Sequence, residues 1–132
     1  MKYLIIITLL LSSLTAKDLN WLHHYDSALQ LAKMQNKDVY LFIGADECRF
    51  CDKFKEETLS SKEVIKKLRE NFILLYMSRD QHEIPKKFKT KGVPQHYFLT
   101  PEGEVILTTN GSREIPGFYM LLEEVDLLKD DD

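Results

Sequence analysis

The stretch Val39-Tyr40-Leu41-Phe42-Ile43-Gly44-Ala45-Asp46-Glu47-Cys48-Arg49-Phe50-Cys51 decides the fold. Its first five residues form an unbroken run of β-branched, aromatic and aliphatic side chains, closed by Gly44. A strand with one wet face alternates apolar and polar residues, so a run without alternation predicts a strand buried on both faces. Such strands belong to sheets covered by helices. After the polar turn, Asp52-Lys53-Phe54-Lys55-Glu56-Glu57-Thr58 has a helix-like composition. The two cysteines therefore fall where a buried strand turns into a helix.

Toward the N-terminus, Leu22, Tyr25, Ala28, Leu29, Ala32 and Met34 recur near helical spacing and predict a first helix within residues 19–35, ended by Asn36-Lys37-Asp38. His23 and His24 are expected as a surface pair on it. Toward the C-terminus, Ser60 or Ser61 caps a further helix carrying Val64, Ile65 and Leu68, and residues 72–77 form a second buried strand. Residues 84–89 suit a short helix. Gly92-Val93-Pro94 breaks the chain before Gln95-His96-Tyr97-Phe98-Leu99, a third strand. Thr100-Pro101-Glu102-Gly103 is a turn, residues 104–109 return as a fourth strand, and residues 116–129 form a last helix before an acidic tail. This order predicts an α/β fold: a mixed four-stranded sheet, with room for a fifth strand, and helices on both faces.

Composition bounds the function. The 132 residues, 44% hydrophobic and 30% charged, suit one globular domain. A net charge of −3 argues against a nucleic-acid partner, which requires a basic face. Lys2-Tyr3, the apolar residues 4–11 and Ser12-Ser13-Leu14-Thr15-Ala16 have the three zones of a secretory leader. We expect cleavage after Ala16, leaving residues 17–132 as an exported, periplasmic domain. An uncleaved anchor is the competing reading, but the uncharged stretch is shorter than the roughly 20 residues that span a bilayer as a helix.

The chain has two cysteines, three positions apart. A disulfide closing so short a loop removes little entropy from the unfolded chain, so its purpose is chemical rather than structural. A helix N-terminus offers unpaired N–H donors and partial positive charge, which stabilise the thiolate of Cys48. Cys51, nearly one turn on, is placed to attack a mixed disulfide on Cys48. The pair could instead be half of a zinc site, but the chain lacks a second cysteine pair and only His23, His24, His82 and His96 are left to complete four ligands.

From about Trp21 to Lys129 the chain resembles the thioredoxin superfamily, nearest its exported thioredoxin-like thiol–disulfide oxidoreductases. The residues that carry the resemblance are Cys48-Arg49-Phe50-Cys51 at a strand-to-helix turn, Gly92-Val93-Pro94 before a strand, the Glu102-Gly103-Glu104-Val105 turn, and Gly111. It implies Cys48 and Cys51 as the catalytic pair, a cis Pro94 facing them, and Arg49, Phe50, Val93 and Pro94 as the residues that meet substrate. It implies no cofactor and no metal. Expected partners are exported cysteine-containing proteins and a membrane redox donor or acceptor, met by a monomer on the reductase side. The chain departs from thioredoxin in having Glu47 before Cys48, Arg49-Phe50 between the cysteines, and Phe42 where relatives keep a buried acid. Asp46 and Glu47 are the substitutes that the sequence offers for proton transfer at Cys51. The competing function is a redox-inert binding or chaperone module, or a copper carrier using the two sulfurs.

Overall fold

The computed structural model describes residues 21–88 and 92–131. The expected leader, residues 1–16, lies outside the described residues. Strands β1 (Trp21–Leu22), β2 (Asp38–Gly44), β3 (Phe72–Ser78), β4 (Gln95–Leu99) and β5 (Val105–Asn110) form one mixed sheet in the order β1-β3-β2-β4-β5. β2 lies parallel to β3 and antiparallel to β4, which pairs antiparallel with β5. The helices are α1 (Tyr25–Gln35), α2 (Arg49–Glu57), α3 (Lys62–Asn71) and α4 (Ile115–Asp130). No helix among the described residues is long and apolar enough to cross a membrane.

Every residue of β2 is buried, as its unbroken apolar run requires. Successive side chains point to opposite faces of a sheet. Tyr40 and Phe42 accordingly join Phe54, Leu68, Phe118 and Val125 in the core under α2, α3 and α4. Val39, Leu41 and Ile43 join Ala28, Ala32 and Phe88 on the α1 side. The sheet is thus a wall between two cores, and both faces are closed by helices.

The sequence reading fails in three places. Trp21 and Leu22 are not helical: they pair in parallel with Leu74 and Leu75, supply the fifth strand and shift the start of α1 to Tyr25. Apolar residues at positions 22, 25 and 29 mimic one helical face although the first belongs to a strand. His23 and His24 are consequently not a pair on the helix surface. His24 is the N-cap of α1, and His23 packs flat against His82 with ring centroids 5.0 Å apart. Of the described residues 84–88, Lys86–Phe88 alone are helical, in one turn of 3-10 type, where buried Phe88 packs edge-on against Tyr25 and Tyr97. The hairpin turn has Gly103 at φ +85°, a left-handed conformation, and a Cβ there would lie 2.3 Å from the Tyr25 hydroxyl.

His96 places a polar device in the α2–α4 core. His96 of β4 is completely buried, with the Tyr40 hydroxyl 2.6 Å from its Nδ1 and the Gly111 carbonyl 2.8 Å from its Nε2. A carbonyl only accepts, so Nε2 carries the hydrogen and Nδ1 accepts from Tyr40. Burial holds Tyr40 well above its usual pKa and keeps it a donor. Both nitrogens of a neutral ring are satisfied, and a second ring proton would have to reverse the Tyr40 bond.

Burial pushes the His96 pKa from 6.5 down to about 4; the Gly111 hydrogen bond opposes this and the Arg113 charge adds to it. Between those pH values the unfolded chain binds a proton at this residue that the folded chain refuses. The stabilisation is complete above about pH 6.5 and is lost as pH falls toward 4, a change of roughly 3 kcal/mol. Urea midpoints measured from pH 7 to pH 4 should fall through this window. In His96→Gln the fall should be shallower by about one proton.

Candidate active site

β2 ends at Gly44, and residues 45–47 lead to Cys48, which is the N-cap of α2 with extended backbone (φ −144°, ψ 101°). Its sulfur does the work that Ser or Asp does at other helix starts: Sγ accepts the N–H of Cys51 at 3.1 Å. The Cys48 carbonyl accepts the Asp52 N–H at 3.0 Å and opens the helix. Cys48 and Cys51 are joined by a disulfide, their Cα atoms 5.2 Å apart. The two sulfurs are not equivalent. Cys48 is partly exposed, whereas Cys51 is completely buried in the core with Phe42, Phe54 and Phe118.

Arg49 and Phe50 both face solvent, the Arg49 guanidinium 5.3 Å from the centre of the Phe50 ring. Phe50 remains 52% exposed, unusual for a large aromatic side chain. Beside it runs an open groove of about 550 Å³, lined by Phe50, Lys53, Val93, Pro94, Asn110 and Gly111 among others. The Val93–Pro94 bond is cis, and the Pro94 carbonyl accepts the Gly111 N–H at 2.9 Å. The structure therefore brings Phe50, Val93 and Pro94, three of the four residues read as substrate-facing, to one groove. Arg49 is not part of its lining.

The proton-transfer candidates fare differently. Phe42 is surrounded by the rings of Phe54, Tyr76 and His96, at 5.3, 5.2 and 5.8 Å. Glu47 is exposed. One oxygen of the Asp46 carboxylate accepts hydrogen bonds from Ser78 Oγ at 3.0 Å and from Gln81 Nε2 at 2.6 Å. Sequence reasoning missed these partners, because they lie more than thirty positions away in a turn without periodic pattern. Among the described residues, no group of three or more His, Cys, Asp or Glu converges to hold a metal.

Comparison with known proteins agrees with this geometry. A thioredoxin-like family model matches residues 20–101. Spermatogenesis-associated protein 20 of Mus musculus is 29% identical over 91 residues, covering 62% of this chain and only 12% of the mouse protein. A thioredoxin from Thermus thermophilus superposes with a TM-score of 0.69 at 25% identity, over 81% of this chain and 86% of that one. The solution structure of a Bacteroides thetaiotaomicron protein superposes with a TM-score of 0.67 at 22% identity, over 85% of this chain and 92% of that one. With its match over most of the chain, its five-stranded mixed sheet and its C-x-x-C disulfide at the start of a helix, this chain belongs to the thioredoxin-like family.

Proposed function

We propose that this chain is a thiol–disulfide oxidoreductase that exchanges disulfides with exported cysteine-containing proteins, working on the reductase side. The observation that carries the reading is the asymmetry of the cysteine pair: Cys48 is partly exposed at a helix N-terminus, and Cys51 is sealed beneath it. A structural cystine has no need of one reachable sulfur beside a groove. The apolar character of residues 4–11, flanked by Lys2 and by small residues, supports export to the periplasm.

In the reduced form the Cys48 thiolate attacks one sulfur of a substrate disulfide. The S–S bond breaks, the other substrate sulfur leaves as a thiolate, and a mixed disulfide joins Cys48 to the substrate. Cys51 then attacks Cys48 Sγ, which restores the Cys48–Cys51 disulfide and releases the second substrate sulfur. Two electrons pass to the substrate; one of its sulfurs takes the Cys51 thiol proton and the other takes a proton from solvent, which received it when Cys48 ionised. The next cycle needs a dithiol donor, the role assigned here to a membrane-bound partner. The groove beside Phe50, Val93 and Pro94 suits an extended substrate segment. No metal or organic cofactor enters any step.

Local charge supports the reductase direction. A stabilised thiolate stabilises the reduced form and makes a pair oxidising. Arg49 acts in that sense, but Glu47 on the other side of Cys48, with Asp46 and Asp52 farther along the chain, acts against it. All four are exposed, so water and salt screen each of them. The helix N-terminus is left as the main stabiliser.

Cys48→Ser should abolish insulin reduction, whereas a redox-inert binding module would show none in the wild type either. Cys51→Ser should retain substrates as mixed disulfides on Cys48. If that variant, recovered from cells, carried no disulfide-linked protein, exchange with protein substrates would be refuted.

Glutathione titration should place the pair near the thioredoxin value of about −270 mV, and a value close to about −120 mV would contradict the reductase direction. Arg49→Ala should move the potential by less than about 30 mV, the equivalent of a tenfold change in equilibrium.

A further inference from the structure

Beside the cysteine loop lies a set of polar groups that disulfide exchange does not use. Ser78, buried at the end of β3, is their hub. Its carbonyl accepts the N–H groups of Gln81 at 3.1 Å and His82 at 2.8 Å, closing a turn over residues 78–82. Its hydroxyl accepts the Asp80 N–H at 3.2 Å and donates to the Asp46 carboxylate at 3.0 Å. Gln81 Nε2 donates to the same carboxylate, and the Asp80 carboxylate accepts the Asp46 N–H at 2.8 Å. The Arg79 N–H adds a bond to the Gly44 carbonyl at 3.1 Å. Since Asp46 lies two residues before Cys48, the turn grips the approach to the reactive sulfur.

The turn is in turn held by His82, whose Nδ1 accepts the Ser78 N–H at 2.8 Å. A neutral imidazole has one acceptor nitrogen and an imidazolium has none, so protonation replaces this bond with two opposed donors. From the segment after β1, His23 stacks on it at 5.0 Å with planes 1° apart. From β3, Tyr76 meets it edge-on at 6.3 Å, with the Lys55 ammonium of α2 4.5 Å from the Tyr76 ring centre. Asp46 faces it from the cysteine loop, while Arg79, Asp80 and Glu83 are its charged neighbours in the chain.

Burial, and after it the His23 charge, lower the His82 pKa from 6.5, against the pull of Asp46. His23 donates from Nδ1 to the Tyr76 carbonyl at 2.9 Å. That donation survives protonation of His23, which then sets a second positive charge against His82.

We propose that His82 is a positioning residue for the cysteine loop: neutral, it holds the 78–82 turn on Asp46 and fixes Cys48; protonated, it releases both. The reactivity of the pair then carries a pH switch separate from the ionisation of its own thiols. This consequence rests on the thiol–disulfide reading, but the coupling can be measured without it.

The oxidised full-length chain provides the test, because neither cysteine titrates while the disulfide is intact. As pH falls from 8 to 4, NMR signals of the Asp46 and Cys48 amides should move with the midpoint of the His82 ring, below 6.5. His82→Gln keeps an acceptor that does not titrate in this range and should remove the step. His23→Gln should keep the step and raise its midpoint. The rate of disulfide reduction by a phosphine, scaled to that of a small linear disulfide, should change about fivefold across the same midpoint in the wild type, the weight of one ordinary hydrogen bond, and stay level in His82→Gln.

Amides that stay still through the His82 titration, a step that survives His82→Gln, or a level rate ratio in the wild type would each overturn the proposal. A wild type inactive toward insulin would instead count against the thiol–disulfide reading alone, since neither measurement uses a protein substrate.

Discussion

The burial of β2 on both faces is the constraint from which the rest of the molecule follows. A strand without a wet side must have sheet neighbours left and right and helices above and below, and here β3, β4, α1 and the α2–α4 layer supply them. Its ends are the two places where polar chemistry returns. At one end Asp38, nearly buried, pairs with Lys129 near the end of α4. At the other, Gly44 lets the Tyr76 ring cross the strand, since a Cβ there would lie 3.0 Å from the Tyr76 hydroxyl. The chain must leave the sheet beyond Gly44, and it leaves directly into the cysteine loop.

The same economy of position explains the cysteine pair. A helix start leaves its first N–H groups without backbone partners, and something must accept from them. Cys48 fills that place with sulfur, a weak acceptor as a disulfide and a much stronger one as a thiolate. Reduction therefore strengthens the cap of α2. The helix favours the reduced pair without help from a nearby buried charge, which is consistent with an aromatic Phe42 below and with exposed, mutually opposing charges around Cys48.

What could be read from the sequence follows from how local each feature is. The runs that became β2 and β3 were legible because double burial leaves an unbroken apolar signature, β4 because Gly92-Val93-Pro94 and the Thr100-Pro101-Glu102-Gly103 turn bracket it, and C-x-x-C because strand, turn and helix are contiguous. β1 was not: two residues are too few to show alternation, and Leu22 fell by chance on the helical spacing of α1. The place of Pro94 came from resemblance, as nothing in Gly92-Val93-Pro94 alone directs it to a groove shared with Phe50. The Ser78 turn was invisible for another reason. Its bonds to Asp46 span more than thirty residues, and Asp46 read alone looked like a proton-transfer group when its carboxylate is engaged by Ser78 and Gln81.

His96 and His82 show how similar residues take different parts within one fold. Burial is the main force against the proton at both. His96 is enclosed in the core, with both nitrogens committed to Tyr40 and Gly111, so desolvation is nearly complete and its pKa falls to about 4. His82 is only partly covered and has Asp46 to draw a proton toward it. Desolvation grows with burial, so acid reaches His82 first and His96 last. On acidification the loop at Cys48 should therefore respond while the core under α2 and α4 is still intact. A pH-sensitive group at the edge of the sheet can act on the site without endangering the fold, which the same group in the core could not do.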